Sequence, residues 1–120
     1  ASDPALSQYL SAAALSGHMA VIADGNGKAA YASCDQLADL RRVIGITIGA
    51  AASGSSIYVQ SRDVLEHNGW AWTPGADVFL GLNGMLVQTL PGGAVFSQVL
   101  GRALSATRLL VGLQPPVLLA

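Results

Sequence analysis

Arg42-Val43-Ile44-Gly45-Ile46-Thr47-Ile48 decides the fold class. β-branched side chains dominate this run, and their restricted first torsion suits a pleated strand better than a helix. Gly49 to Ser56 then supplies small residues for a loop. Ser56-Ile57-Tyr58-Val59-Gln60-Ser61 reads as the next strand, with Arg62 to Val64 as its extension. Towards the N-terminus, His18 to Ala23 and Lys28 to Ser33 flank Asp24-Gly25-Asn26-Gly27. Gly and Asn accept positive φ, so these three pieces form a hairpin. Cys34 to Leu40 reads as a loop or a single helical turn.

Towards the C-terminus, Gly69-Trp70-Ala71-Trp72-Thr73-Pro74-Gly75 comes first, and Pro74-Gly75 fits the two central positions of a type II turn. Asp77 to Leu80 and Met85 to Thr89 flank Leu82-Asn83-Gly84, which gives a second hairpin. Pro91-Gly92-Gly93 breaks the chain. Phe96 to Leu104 and Arg108 to Leu113 read as the last two strands, joined by Ser105-Ala106-Thr107. Gln114-Pro115-Pro116 stiffens the exit into an apolar tail, Val117 to Ala120, which is expected to dock on a neighbour.

Residues 1–17 differ from the rest. Asp3-Pro4 fits a helix start, Leu6, Tyr9, Leu10, Ala13 and Ala14 follow at helical spacing, and Gly17 ends the stretch. The expected division is a short N-terminal helix or tether over residues 1–17 and a β-domain over residues 18–120. About eight short strands at regular spacing, without β-α-β alternation, predict an all-β fold, a small β-sandwich or barrel.

Composition adds a constraint on surfaces. Hydrophobic residues make up 52% of the 120 and charged residues 11%, against about 25% charged in an ordinary soluble domain. One domain of this length has limited interior, so part of the apolar excess is expected on a surface covered by another subunit. A membrane span needs roughly 18 apolar residues in a row, and every apolar run here is interrupted. Ala12 to Ala23 is interrupted at Ser16, Gly17 and His18 and lacks a basic lead-in, so it is not expected to be a signal peptide. Net charge is -1, and Arg41-Arg42 is the only adjacent basic pair, so no nucleic-acid partner is expected. Cys34, the single cysteine, excludes an intrachain disulfide and reads as an inert small residue, with a reactive thiol as the alternative.

The residue types that carry chemistry are scattered. His18 and His67 stand alone, without metal-ligand spacing. Asp35 and Asp39 read as a solvated turn, and Asp63, Glu66 and His67 form the one acid/histidine cluster along the chain. Gly54-Ser55-Ser56 lacks the glycine pattern of a nucleophile elbow, and Gly25-Asn26-Gly27-Lys28 lacks the spacing of a phosphate loop. No catalysis, metal or cofactor is therefore expected. Trp70 and Trp72 lie two apart and would share one face of an extended segment. With Tyr58 they are the candidate ligand or subunit-interface residues, as intersubunit anchors or as a sugar-stacking platform.

Arg42-Val43-Ile44-Gly45-Ile46-Thr47, the loop Ala50-Ala51-Ala52-Ser53-Gly54 and the strand Ile57-Tyr58-Val59-Gln60 resemble surface domains of tailed bacteriophages. So do Trp70-Ala71-Trp72-Thr73-Pro74-Gly75, Val78-Phe79-Leu80-Gly81, Asn83-Gly84, Leu86-Val87-Gln88-Thr89 and Val99-Leu100-Gly101-Arg102-Ala103-Leu104-Ser105. Similar runs occur in tail-fibre, head-fibre and capsid-decoration proteins. The likeness spans Gly17 to Leu119, and Leu90-Pro91-Gly92-Gly93 departs from a more proline-rich form of that loop. The resemblance implies a non-enzymatic virion component that assembles as a homo-oligomer, commonly a trimer. Its implied partners are copies of itself, other virion proteins and, at a fibre tip, a host-surface glycan bound through Trp70 and Trp72.

Overall fold

The computed structural model describes residues 6–119. Its strands, in chain order, are β1 (Leu6–Leu10), β2 (Ala20–Ala23), β3 (Ala29–Tyr31), β4 (Val43–Ile48), β5 (Ser56–Gln60), β6 (Arg62–Glu66), β7 (Asp77–Leu80), β8 (Leu86–Val87), β9 (Phe96–Ser97), β10 (Val99–Ala103), β11 (Arg108–Gly112) and β12 (Val117–Leu118). A 3-10 turn at Leu37–Asp39 is the only helical element among the described residues. Two five-stranded antiparallel sheets result, in the orders β1-β5-β4-β2-β3 and β6-β11-β10-β7-β8, with β12-β9 as a small separate ladder. The expected all-β, sandwich-like fold is the one found. Each large sheet draws its strands from one half of the chain, and the crossover falls at Ser61.

The described part of the N-terminal stretch is a strand where a short helix or tether was expected. Leu6–Leu10 pairs with β5 from Leu6↔Gln60 to Leu10↔Ser56. The same residues satisfy a period of two, because Tyr9 points inwards opposite Ile57 while Leu6 and Leu10 point out. A short isolated helix is marginal in water, so sheet pairing wins over the helical pattern. Asp3-Pro4 lies outside the described residues. Arg62 to Val64 does not extend β5 either: the chain turns at Ser61 and enters the second sheet. The long strand expected over Phe96 to Leu104 is two strands that break at Gln98, whose amide donates to the Gln114 carbonyl at 3.0 Å. The apolar tail docks within its own chain. Val117 pairs with Ser97 and Leu118 with Phe96, although both tail side chains stay exposed.

Three apolar clusters fill the molecule. Ala20 and Ile22 of β2 meet Leu80, Phe96 and Leu100 of the second sheet's half, with Ala32 and Cys34 between them. Ile46 of β4 meets Leu65, Val78, Ala103, Leu109 and Val111. Val21 points the other way, into a cluster with Leu15, Ala29, Ile57 and Val59. Thus β2 is buried on both faces, as its unbroken apolar run requires. The first sheet also curls. Ser11, just past β1 at one edge, bridges in parallel to Ala29 of β3 at the other, and its hydroxyl donates to the Ala52 carbonyl at 2.6 Å.

Turn chemistry read from the sequence matches the backbone. Asn83 and Gly84 have φ of 51° and 82°, and the Met85 amide donates to the Leu82 carbonyl, the geometry of a type I′ hairpin. Gly75 has φ of 84° after Pro74, as a type II turn demands. In the first hairpin the Asp24 carboxylate accepts from the amides of Lys28 and Asn26, which holds its pKa below the ordinary carboxylate value.

Candidate functional site

The two isolated histidines of the sequence come together. His18 precedes β2 and adopts φ of 60°, with its amide donating to the Thr47 carbonyl at 2.8 Å. The buried Thr47 hydroxyl fixes the same turn, donating to the Ser16 carbonyl at 2.7 Å and accepting from the Met19 amide at 3.0 Å. His67 follows β6 in the other sheet, with its amide donating to the Thr107 carbonyl at 3.0 Å. A turn closed from the Trp70 amide to the His67 carbonyl then brings Trp70 back over the histidine. The imidazole rings stack with centroids 4.1 Å apart and planes 16° from parallel. Trp70 stands edge-on to both, at 5.4 Å from His18 and 5.6 Å from His67.

Trp70 and Trp72 are neighbours, with centroids 5.4 Å apart and planes tilted by 48°. Both are half-buried and pack against the cluster of Ile46, Leu65, Val78 and Leu109, together with Ile48. They occupy the seam between β4 and the second sheet. The Trp72 amide donates to the Ala106 carbonyl, and its indole Nε1 is buried without an acceptor. The Gln88 amide clamps the next residue from both sides, accepting from the Thr73 amide at 2.8 Å and donating to the Thr73 carbonyl at 3.0 Å. Tyr58 lies elsewhere. It is 51% exposed on β5, beside Gln8 of β1 in register, and makes no ring contact with either tryptophan. The three candidate residues therefore belong to two places.

Electrostatics at the pair follow from its position. Partial burial, and then the neighbouring His67, push the His18 pKa below the ordinary histidine value. Among the described residues no carboxylate joins the pair. Glu66 turns to Arg108 at 3.6 Å, the only ion pair among the described residues, and Asp63 is exposed on β6. The acid/histidine cluster of the sequence is thus dispersed by strand alternation. Among the described residues no three His, Cys, Asp or Glu side chains are grouped to hold a metal. Asp39 is not solvated as expected: it is buried in the 3-10 turn, accepts from the Ser33 amide at 2.9 Å, and has its pKa raised by burial. Cys34 is fully buried in the first cluster, which raises its thiol pKa.

Two surfaces carry exposed apolar side chains. On the outer face of the second sheet, Val64, Leu110, Arg102 and Asp77 form one transverse row through β6, β11, β10 and β7. Val64 and Leu110 are exposed there at 49% and 43%. An open groove of about 850 Å³ crosses this face, with Gln114, Pro115 and Val117 as one wall. On the first sheet, Leu6, Leu10 and Tyr58 are exposed along β1 and β5. No family model matches the sequence, and a comparison with curated proteins returns no match.

The histidine turn yields a prediction. Thr47→Val keeps the shape of a fully buried side chain but strands the Met19 amide and the Ser16 carbonyl. Losing a hydrogen-bonded partner inside a protein costs about 1–3 kcal/mol, so the urea midpoint is expected to fall by that equivalent. An unchanged midpoint would mean that water already serves both groups.

Proposed function

We propose that this chain is a non-enzymatic structural domain that assembles with copies of itself, as do the surface domains of tailed-phage particles that it resembles. One observation carries the reading: apolar side chains on the outer face of the second sheet, Val64 and Leu110, point to solvent in a chain with 11% charged residues. Exposed Leu6, Leu10 and Tyr58 on the first sheet, and Val117 and Leu118 on the tail, continue the same theme. On the second sheet Val64 and Leu110 stand among the exposed charges of Arg62, Glu66, Arg102 and Arg108, and exposed apolar side chains in so lightly charged a chain suit cover by a partner. Two strand edges, β6 and β8, also end the second sheet without a further neighbour, and assembly protects such edges. A virion surface is the proposed location, and a threefold set of copies is the assembly that the resemblance implies.

The tryptophans bear on the alternative, a carbohydrate-binding module at a fibre tip. A stacking platform needs broad indole faces turned to water, whereas Trp70 and Trp72 are half-buried against the cluster that holds Ile46 and Leu109. That placement favours anchoring within the fold over glycan stacking.

Light scattering coupled to size exclusion tests the reading. The wild-type chain is expected to run as a multiple of its 12.2 kDa mass. Leu110→Glu with Val64→Glu is expected to reduce the multiple while leaving the far-ultraviolet circular dichroism of the β-fold unchanged. A wild-type monomer at micromolar concentration sinks the proposal, and glycan-array binding abolished by Trp70→Ala would replace it with the binding module.

A further inference from the structure

We infer that the stacked His18 and His67 rings form a proton-operated latch that holds the two sheets together at the tryptophan seam. The rings come from opposite halves of the fold, His18 from the turn before β2 and His67 from the turn after β6. They touch face to face at 4.1 Å, so the contact joins the sheets directly. Neutral imidazoles stack favourably, as aromatic rings at this spacing do. Two imidazolium ions at the same spacing repel, and partial burial weakens the screening that water would supply.

Among the described residues nothing nearby relieves that repulsion. β4 offers Thr47 and Ile48, the turn after β6 offers Trp70, and the turn before β11 offers Thr107. None of these ionises in the range where histidine titrates. Ser16 and Met19, which flank the His18 turn, do not ionise either. The closest charged groups along the chain, Glu66 and Arg108, are paired with each other. Among the described residues His67 is the one charge partner that acts on His18.

The sign is set by linkage. The closed stack binds protons on His18 less readily than an open one, because burial and His67 both disfavour its charged form. The closed form is therefore favoured above the ordinary histidine value of about 6.5 and loses ground as pH falls below it. Opening separates the turn at His67–Trp72 from the His18 turn. It carries Trp70 and then Trp72 out of the seam, so a mildly acidic medium uncovers an aromatic surface that neutral pH hides.

The chain holds two tryptophans, both at this site, so indole fluorescence reports on the surroundings of the latch. The experiment follows emission maximum and acrylamide quenching of the full chain from about pH 7.5 to about pH 5, the span of histidine titration. Circular dichroism checks that the sheets persist. A red-shifted maximum and severalfold stronger quenching at acidic pH are expected for the wild type. His67→Phe keeps a ring in the stack without a second charge, and its emission is expected to stay at the neutral-pH position throughout. An acid-induced red shift of equal size in His67→Phe overturns the latch. So does a wild-type loss of intensity at an unshifted maximum with unchanged acrylamide quenching, since imidazolium would then be quenching a site that stays closed.

Discussion

Gly45→Ala is expected to be the most damaging single-methyl change in this protein. Gly45 sits in the central strand β4, between β5 and β2, with φ of 152°. A side chain in that region of backbone space is strained by about 1–3 kcal/mol. The position is also full. A Cβ built on Gly45 would overlap the Gln60 carbonyl oxygen and lie 2.7 Å from a Val59 methyl group. Val21 pairs with Gly45 while Ile22 pairs with Val43, so a bulge already distorts the ladder here and leaves little freedom to shift. Overpacking of this kind adds about 1–3 kcal/mol more. The two together, about 2–6 kcal/mol, reach the lower end of a small domain's stability, about 5–15 kcal/mol. Urea unfolding followed by tryptophan emission measures the loss. Gly49→Ala is the control: it has φ of 75° but open space around it, so it is expected to cost only about 1 kcal/mol. If the two variants unfold at the same midpoint, the close approach of β4 to β5 is not as described.

Phe96→Ala is the second large effect. Phe96 is fully buried and is the bulkiest side chain so enclosed. It packs with Ile22, Leu80 and Leu100, and so joins β2 of the first sheet to β7 and β10. Its backbone also carries structure, because β9 pairs with β12 through Phe96↔Leu118 and the Phe96 amide donates to the Cys34 carbonyl at 3.4 Å. Removing a buried phenyl ring costs about 3–5 kcal/mol, the spread reflecting how far the cavity collapses. Here collapse is opposed by small neighbours, Ala20 and Ala32, which cannot swing inwards. Phe96→Leu is expected to recover more than half of the lost stability in the same urea assay. Equal losses for both variants would place the effect in the β9–β12 ladder and not in the core.

Some of this architecture is legible locally, because its causes are local. Asn83-Gly84 and Pro74-Gly75 specify their turns through positive φ at single residues, and Val43 to Ile48 specifies a strand through side-chain branching. The remainder depends on partners far along the chain. Leu6, Tyr9 and Leu10 fit a helix or a strand equally well, and only the presence of β5 alongside decides between them. The break at Ser61 has no turn signal of its own; it exists because β6 finds β11 in the second sheet. The site divides in the same way. The Trp70–Trp72 contact follows from a spacing of two and was visible, whereas the His18–His67 stack needs both sheets assembled and leaves no mark in local sequence. Residue type alone groups Tyr58 with the tryptophans, and its place on β5 separates it from them.

The division of the sheets at Ser61 has a consequence during translation. The ribosome releases every strand of the first sheet before any strand of the second. The nascent half then holds Ala20, Ile22 and Ile46 facing water until β7, β10 and β11 emerge. At elongation rates of about 5–20 residues per second, that wait lasts on the order of several seconds. Neighbouring nascent chains on one polysome present the same bare layer one after another. The segment around Ser61 is then a natural hinge for exchange, with one chain's late half closing over another chain's early half.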